Sequence, residues 1–105
     1  MVEFYILNIK KEPKKVDDPA EWAKWYKKQK NNYKRTYTPN DVITTVFTGI
    51  DSENDFSSAP LLWETTISET SQDDNVRVYK FSSLKSALEK HGQLVDWSME
   101  KLDLD

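Results

Sequence analysis

His91 is the residue of this chain best suited to acid–base chemistry. It is the only histidine in the sequence, so a catalytic site would need a carboxylate brought to it by the fold, for which Asp51 and Glu64 are candidates. Such a trio would predict a small hydrolase-like site. The competing interpretation is a partly buried histidine, hydrogen-bonded to a neighbour. We favour this second interpretation because His91 lies in an apolar row.

Three carboxylates, Asp51 among them, have the spacing with which a calcium-binding loop begins. Asp51, Glu53 and Asp55 occupy alternate positions, but the sixth position is Phe56, where the turn needs glycine. The twelfth is Leu62, where a bidentate glutamate is needed. We therefore expect no calcium site. With one histidine and no cysteine, we expect no other metal and no cofactor.

Other catalytic patterns are missing from the sequence. There is no cysteine nucleophile and no G-x-S-x-G elbow, and two glycines cannot build a phosphate-binding loop. The composition is 37% hydrophobic and 12% aromatic, which is typical of a packed globular chain. We expect a protein that is not an enzyme.

Charge is distributed unevenly along the chain. Residues 1–40 carry ten Lys/Arg and five Asp/Glu, whereas residues 41–105 carry five and thirteen. This asymmetry indicates either ordinary solvated surfaces or a dipolar surface that steers a charged partner. In the second case, carboxylates on two loops would imitate phosphates and occupy a basic groove of a host protein. The candidate partner-binding residues are Asp51, Glu53, Asp55, Glu64, Glu69, Asp73 and Asp74.

The basic stretch from Lys10 to Arg35 is interleaved with aromatic residues, a composition that can bind single-stranded nucleic acid. Helical spacing, however, places Trp22 and Trp25 on the packed side and the lysines on the other sides. The two kinds of residue would not act on one strand, so direct nucleic-acid binding is not expected.

The length of 105 residues predicts a single domain covering residues 1–105. No apolar run is long enough for a membrane span, and the first nine residues lack the features of a secretory signal. We expect no membrane association and a location in the cytoplasm.

An apolar run at 2–9 predicts a strand buried on much of both sides, and apolar and β-branched residues predict three more strands, at 42–48, 61–68 and 76–81. The charged segment 10–16 is predicted to be an exposed connection, 50–60 a polar loop and 69–75 a turn. Asp18, Pro19 and Glu21 form a strong helix-start signal for a helix over residues 19 to about 31.

A second helix begins after a cap at Ser82 or Ser83. Its apolar row is Leu84, Ala87, Leu88, His91, Val95, Met99 and Leu102. Gly92 within it favours a kink or a break. The expected fold is α+β in two layers, with an antiparallel sheet of about four strands and both helices on one face, in the order β-α-β-β-β-α.

Several spaced motifs between Trp22 and His91 occur together: WAKW, VITTVFTGID from Val42, PLLWET from Pro60, and FSS from Phe81. The series resembles a family of small hypothetical proteins of tailed phages and prophages, with runs such as VSTVFLGLDH, PLLFETMVF and YSTWEEALAGH. The chain has Ser52 where the family has a histidine, and Lys90 where it has a glycine. The resemblance implies a phage origin and carries over no catalytic residue.

Three functional hypotheses remain open. The first is a phage-encoded inhibitor of a bacterial defence system, anti-CRISPR-like, which binds a host protein such as a defence nuclease. The second is a phage structural or housekeeping protein that self-associates, for example as a homodimer through a sheet edge or the last helix. The third is the hydrolase-like site of Asp51, Glu64 and His91.

Overall fold

The computed structural model of the chain describes residues 2–28, 33–51, 59–69 and 72–100. In these ranges it has two helices and seven strands. The helices are α1 (Pro19–Lys28) and α2 (Leu84–Glu100). The strands are β1 (Glu3–Leu7), β2 (Pro13–Val16), β3 (Tyr33–Tyr37), β4 (Asp41–Phe47), β5 (Ile50–Asp51), β6 (Trp63–Glu69) and β7 (Gln72–Phe81).

The strands form two antiparallel sheets, with the orders β2-β1-β5 and β3-β4-β6-β7. The predicted α+β class and the four-stranded antiparallel sheet are confirmed. The membership of that sheet differs from the prediction, because β1 lies in the smaller sheet and β3 takes the fourth place. The chain provides β1 with its own neighbours, β2 and β5, so both of its edges are paired outside the larger sheet.

The predicted connection 10–16 contains β2, so this prediction was wrong. Pro13 is the first residue of the strand, where its missing N–H removes no central ladder bond. Val16 pairs with Phe4 and is buried. Strand pairing therefore outweighs the charged composition of the segment.

The loop and turn on either side of β6 are also shorter than predicted. β5 occupies the start of segment 50–60, and β7 begins at Gln72, inside the predicted turn. β7 pairs along β6 as far as Glu69, with a register shift between Ser68 and Glu69. The pairing of Glu69 with Gln72 therefore extends β7 into the segment that its polar composition had assigned to a turn.

One face of the four-stranded sheet, here the covered face, is buried. Its central residues alternate along two strands: Ile43, Thr45 and Phe47 of β4, and Trp63, Thr65 and Ile67 of β6. The rings of Phe47 and Trp63 are 4.9 Å apart. Leu7 of the smaller sheet and Ala87 of α2 join them in one core cluster.

α1 begins as predicted, with the backbone N–H of Ala20 donating to the Asp18 carboxylate at 2.9 Å. The predicted end near Asn31 lies outside the described residues. Trp22 donates from Nε1 to the carbonyl oxygen of Thr48 at 3.1 Å. Trp25 meets Phe47 edge-on at 5.8 Å. The predicted packed side of the helix is therefore confirmed.

α2 is capped at Ser83, whose Oγ accepts the N–H of Ser86 at 3.2 Å. The helix runs through Gly92 without a break, so the expected interruption is not found. Its buried residues are Ala87, His91, Leu94 and Ser98.

The predicted apolar row of α2 was only partly right. Ala87 and His91 are buried, but Leu84 is 42% exposed and Met99 is 46% exposed. Leu102 lies outside the described residues. The helix instead turns polar His91 and Ser98 toward the sheet, where His91 is hydrogen-bonded to Thr45 and Ser98 donates to Asp41 of β4.

Gly49 carries the chain from one sheet to the other. Its φ is +70°, in the left-handed region that favours glycine. Its carbonyl oxygen accepts the N–H of Tyr5 at 2.7 Å. A Cβ at this position would collide with the Tyr5 carbonyl oxygen and come within 2.6 Å of Trp22 Nε1. The junction between the sheets therefore needs glycine.

Candidate functional site

α2 holds His91 against the covered face, where the side chain is 1% exposed. Nε2 lies 2.8 Å from Thr36 Oγ1, and Nδ1 lies 2.9 Å from Thr45 Oγ1. Thr45 Oγ1 is 2.7 Å from Thr65 Oγ1. Thr65 donates to the carbonyl oxygen of Ala87 at 2.8 Å. The prediction of a hydrogen-bonded, buried histidine is confirmed.

These bonds fix the direction of every proton in the chain of hydroxyls. Thr65 uses its one proton on Ala87, so it must accept from Thr45. Thr45 has then used its own proton and must accept from the Nδ1–H of His91. In the neutral ring Nε2 is consequently the acceptor, and Thr36 donates to it.

The surroundings of His91 favour this neutral form. Burial lowers the pKa of His91 below its usual 6.5, and the positive charge of Lys34 on β3 lowers it further. Both ring nitrogens are already engaged by threonines. In this arrangement the histidine positions α2 on the sheet, and neither nitrogen is free to meet a substrate.

A second polar cluster lies near the other end of α2. Ser98 donates to the Asp41 carboxylate. Thr38 Oγ1 lies 2.6 Å from Ser98 Oγ and accepts the N–H of Asp41 at 2.9 Å. All three residues are buried. The cluster fastens the last turns of α2 to the turn before β4.

The structure does not assemble the hydrolase-like trio. Thr65 faces α2, where it donates to the carbonyl oxygen of Ala87, so its neighbour Glu64 points to the opposite side of the sheet from His91. Asp51 lies on β5 in the smaller sheet, opposite Glu3 in the register. Glu64 therefore cannot act with His91.

The predicted acidic surface is divided among several places. Asp51 was expected on a surface loop, but it is 7% exposed, so that expectation was wrong. Glu64 and Glu69 lie near opposite ends of β6, about 16 Å apart at strand spacing. Glu53 and Asp55 fall outside the described residues. Asp73 and Asp74 lie on β7, and the structure does not describe their side chains.

The flanks of the two acidic loops also lie apart. The segment that follows β5 ends just before Trp63, at the start of β6. The segment that precedes Gln72 begins at the other end of β6. The predicted acidic surface required both loops to lie at one end of the sheet. The residues that flank the loops lie at opposite ends of β6 and do not form such a surface.

The other side of the four-stranded sheet, here the open face, is lined by half-exposed and exposed residues. Strand pairing places them in register: Arg35 and Tyr37 of β3, Val42, Thr44 and Val46 of β4, Glu64, Thr66 and Ser68 of β6, and Val76, Val78 and Lys80 of β7. Val78 is 51% exposed and Tyr37 is 68% exposed. No described helix covers this face, because α2 packs on the buried side.

Sequence reasoning missed the threonine partners of His91 and the Ser98 cluster. A signal for them exists, because Thr45 and Thr65 interrupt rows that are otherwise apolar. A hydroxyl in such a row needs a hydrogen-bond partner from the element packed above it. Ser98 follows His91 by seven residues and therefore lies on the same side of the helix.

Comparison with known protein families, with curated proteins and with solved structures finds no match to the chain. Within ranges 2–28, 33–51, 59–69 and 72–100, no three His, Asp or Glu side chains come together in a way that could hold a metal ion. In the same ranges neither helix has the length and apolarity needed to cross a bilayer.

Proposed function

We propose that this protein acts by binding another protein stoichiometrically, and that it is a phage-encoded inhibitor of a bacterial defence system in the host cytoplasm. The observation that carries this proposal is the open face. Val76 and Val78 are exposed on this face and Val42 and Val46 are half-exposed, and a group of apolar side chains left at a sheet surface supports contact with another molecule.

The size of the open face suits part of a protein interface. Four strands about 4.8 Å apart and about seven residues long give an area of about 400 Å². A stable interface buries about 800 Å² on each partner. Neighbouring surface must therefore contribute to the interface. Glu64, which lies on the open face, remains our candidate for contact with a basic group of the partner.

The proposed partner is a host protein, such as a defence nuclease. The resemblance to small tailed-phage proteins supports a host target, and the acidic second half of the chain favours a partner with a basic groove. Self-association is the second candidate function. It is favoured by Val76 and Val78, which lie exposed on β7, an edge strand of the sheet.

A matched pair of variants tests the binding surface. Val78→Asp introduces a charge into the open face, and Val2→Asp makes the same change at a residue that is 49% exposed outside this face. Tagged wild type and both variants are expressed in host cells whose defence system blocks phage growth. Plaque formation and co-purified proteins are measured, together with the thermal midpoint of each variant.

We expect wild type and Val2→Asp to restore plaques and to capture the same defence protein in stoichiometric amount. Val78→Asp should lose both effects at an unchanged thermal midpoint. The inhibitor proposal is overturned if wild type restores plaques in no defence-bearing host. The open face is excluded as the contact surface if Val78→Asp protects as well as wild type. A wild-type dimer in light scattering that Val78→Asp breaks would instead establish self-association.

A further inference from the structure

A groove of about 560 Å³ lies between the start of α2 and the β1–β2 hairpin, above the covered face. Its apolar lining includes Leu7 and Trp63 from the sheets and Leu84 and Leu88 from α2. Leu84 is 42% exposed and Leu88 is 37% exposed. The groove explains why these two leucines are exposed, because their side chains line the groove and not the core.

Two cations flank this apolar surface. Lys11 and Lys34 both line the groove, and no carboxylate is among its lining residues. Neither lysine has an ion-pair partner within 4 Å among the residues that the structure describes. The backbone of Lys11 is fixed in the β1–β2 turn, because its N–H donates to the carbonyl oxygen of Asn8 at 2.9 Å. The groove therefore combines an apolar floor with uncompensated positive charge.

We propose that this groove binds a small amphipathic anion, a carboxylate with an apolar body such as a medium-chain fatty acid. The apolar body would cover Leu84 and Leu88, and the carboxylate would lie between Lys11 and Lys34. The volume is within the range of small-molecule sites, about 300 to 1,000 Å³. The charge complementarity selects an anion over a neutral or cationic molecule of the same shape. This site is separate from the open face.

The groove borders the His91 network, which provides a built-in reporter. Thr45 lines the groove and also accepts the His91 Nδ1–H. Lys34 is the charge that acts on His91. An anion that neutralises Lys34 removes this unfavourable charge and should raise the pKa of His91. Binding and the histidine titration are thus expected to move together.

The test uses decanoate below its micelle concentration, with decylamine as a probe of the same length and opposite charge. Binding to the full chain is measured by calorimetry, and the His91 pKa is followed by NMR. Lys11→Met and Lys34→Met remove one charge each from the groove. Lys24→Met is the matched control, since Lys24 is an exposed residue of α1 outside the groove.

We expect one decanoate per chain, with an upward shift of the His91 pKa. Lys11→Met and Lys34→Met should each weaken binding by about threefold to fivefold, the size of a partly exposed ion pair. Lys24→Met should leave it unchanged. The proposal is overturned if decylamine binds equally well, if several decanoates bind without saturation, or if the groove variants bind as tightly as Lys24→Met.

Discussion

The direction of the protons around His91 makes Thr45→Val an informative change. Valine fills the volume of threonine, so no cavity forms, but the variant loses two hydrogen bonds, to His91 Nδ1 and to Thr65. The imidazole can then protonate Nε2 and donate to Thr36, which leaves Nδ1 buried without a partner. At about 1 kcal/mol for each lost bond, the free energy of unfolding should fall by about 2 kcal/mol.

Urea denaturation measures the stability, and Thr44→Val is the matched control. Thr44 is the adjacent residue of β4, but it lies on the open face and is half-exposed. We expect its free energy of unfolding to change by no more than about 0.5 kcal/mol. The ¹⁵N shifts of the imidazole identify the tautomer independently, with Nδ1–H expected in the wild type and Nε2–H in Thr45→Val.

Two results would contradict this reasoning. A wild-type ring protonated at Nε2 at pH 7.5 would show that the hydroxyl protons do not run from Thr45 toward Ala87. A loss of stability in Thr45→Val no larger than in Thr44→Val would show that the buried hydrogen bonds contribute nothing net to folding.

Three further predictions concern other positions. Gly49→Ala should lower the free energy of unfolding by more than about 2 kcal/mol, because Gly49 has a positive φ and close neighbours. Gly92→Ala should raise the free energy of unfolding by about 1 kcal/mol, because open space surrounds that helical position. Paired urea titrations check both predictions. The free energy of unfolding should fall as the pH drops from 7.5 to 5.5, because His91 protonates near pH 6.5 in the unfolded chain and has a lower pKa in the folded chain. A thermal midpoint that does not change with pH would refute this. Ser98→Ala should cost about 1.5 to 3 kcal/mol, because the buried Asp41 carboxylate loses a donor, and thermal unfolding that matches wild type would rule this out.

Much of the fold could be predicted because the local signals are strong. The cap at Asp18 and Pro19 starts α1 where the structure has it, and the apolar row of Trp63, Thr65 and Ile67 gives the correct buried face of β6. β2, β3 and the first half of β7 were missed because they contain charged residues, and β5 was missed because it is only two residues long. Only pairing with a neighbouring strand makes such segments extended.

The candidate site was less predictable than the fold. The burial of His91 followed from its place in an apolar row, whereas its partners Thr36 and Thr45 come from strands that are distant in sequence. The prediction of an acidic surface was wrong for Asp51. Composition assigns this residue to an exposed loop, but the pairing of β5 with β1 buries it.

The sequence by itself determined the α+β class, the starts of both helices and the buried face of β6, because these depend on residues close together in the chain. The tertiary structure alone decided that β1 belongs to a second sheet, that α2 turns Ser98 inward, and that Thr36 and Thr45 are the partners of His91. It also created the groove beneath Lys11 and Lys34. These features depend on how separate elements pack, and no local pattern encodes the packing of two sheets joined at one glycine.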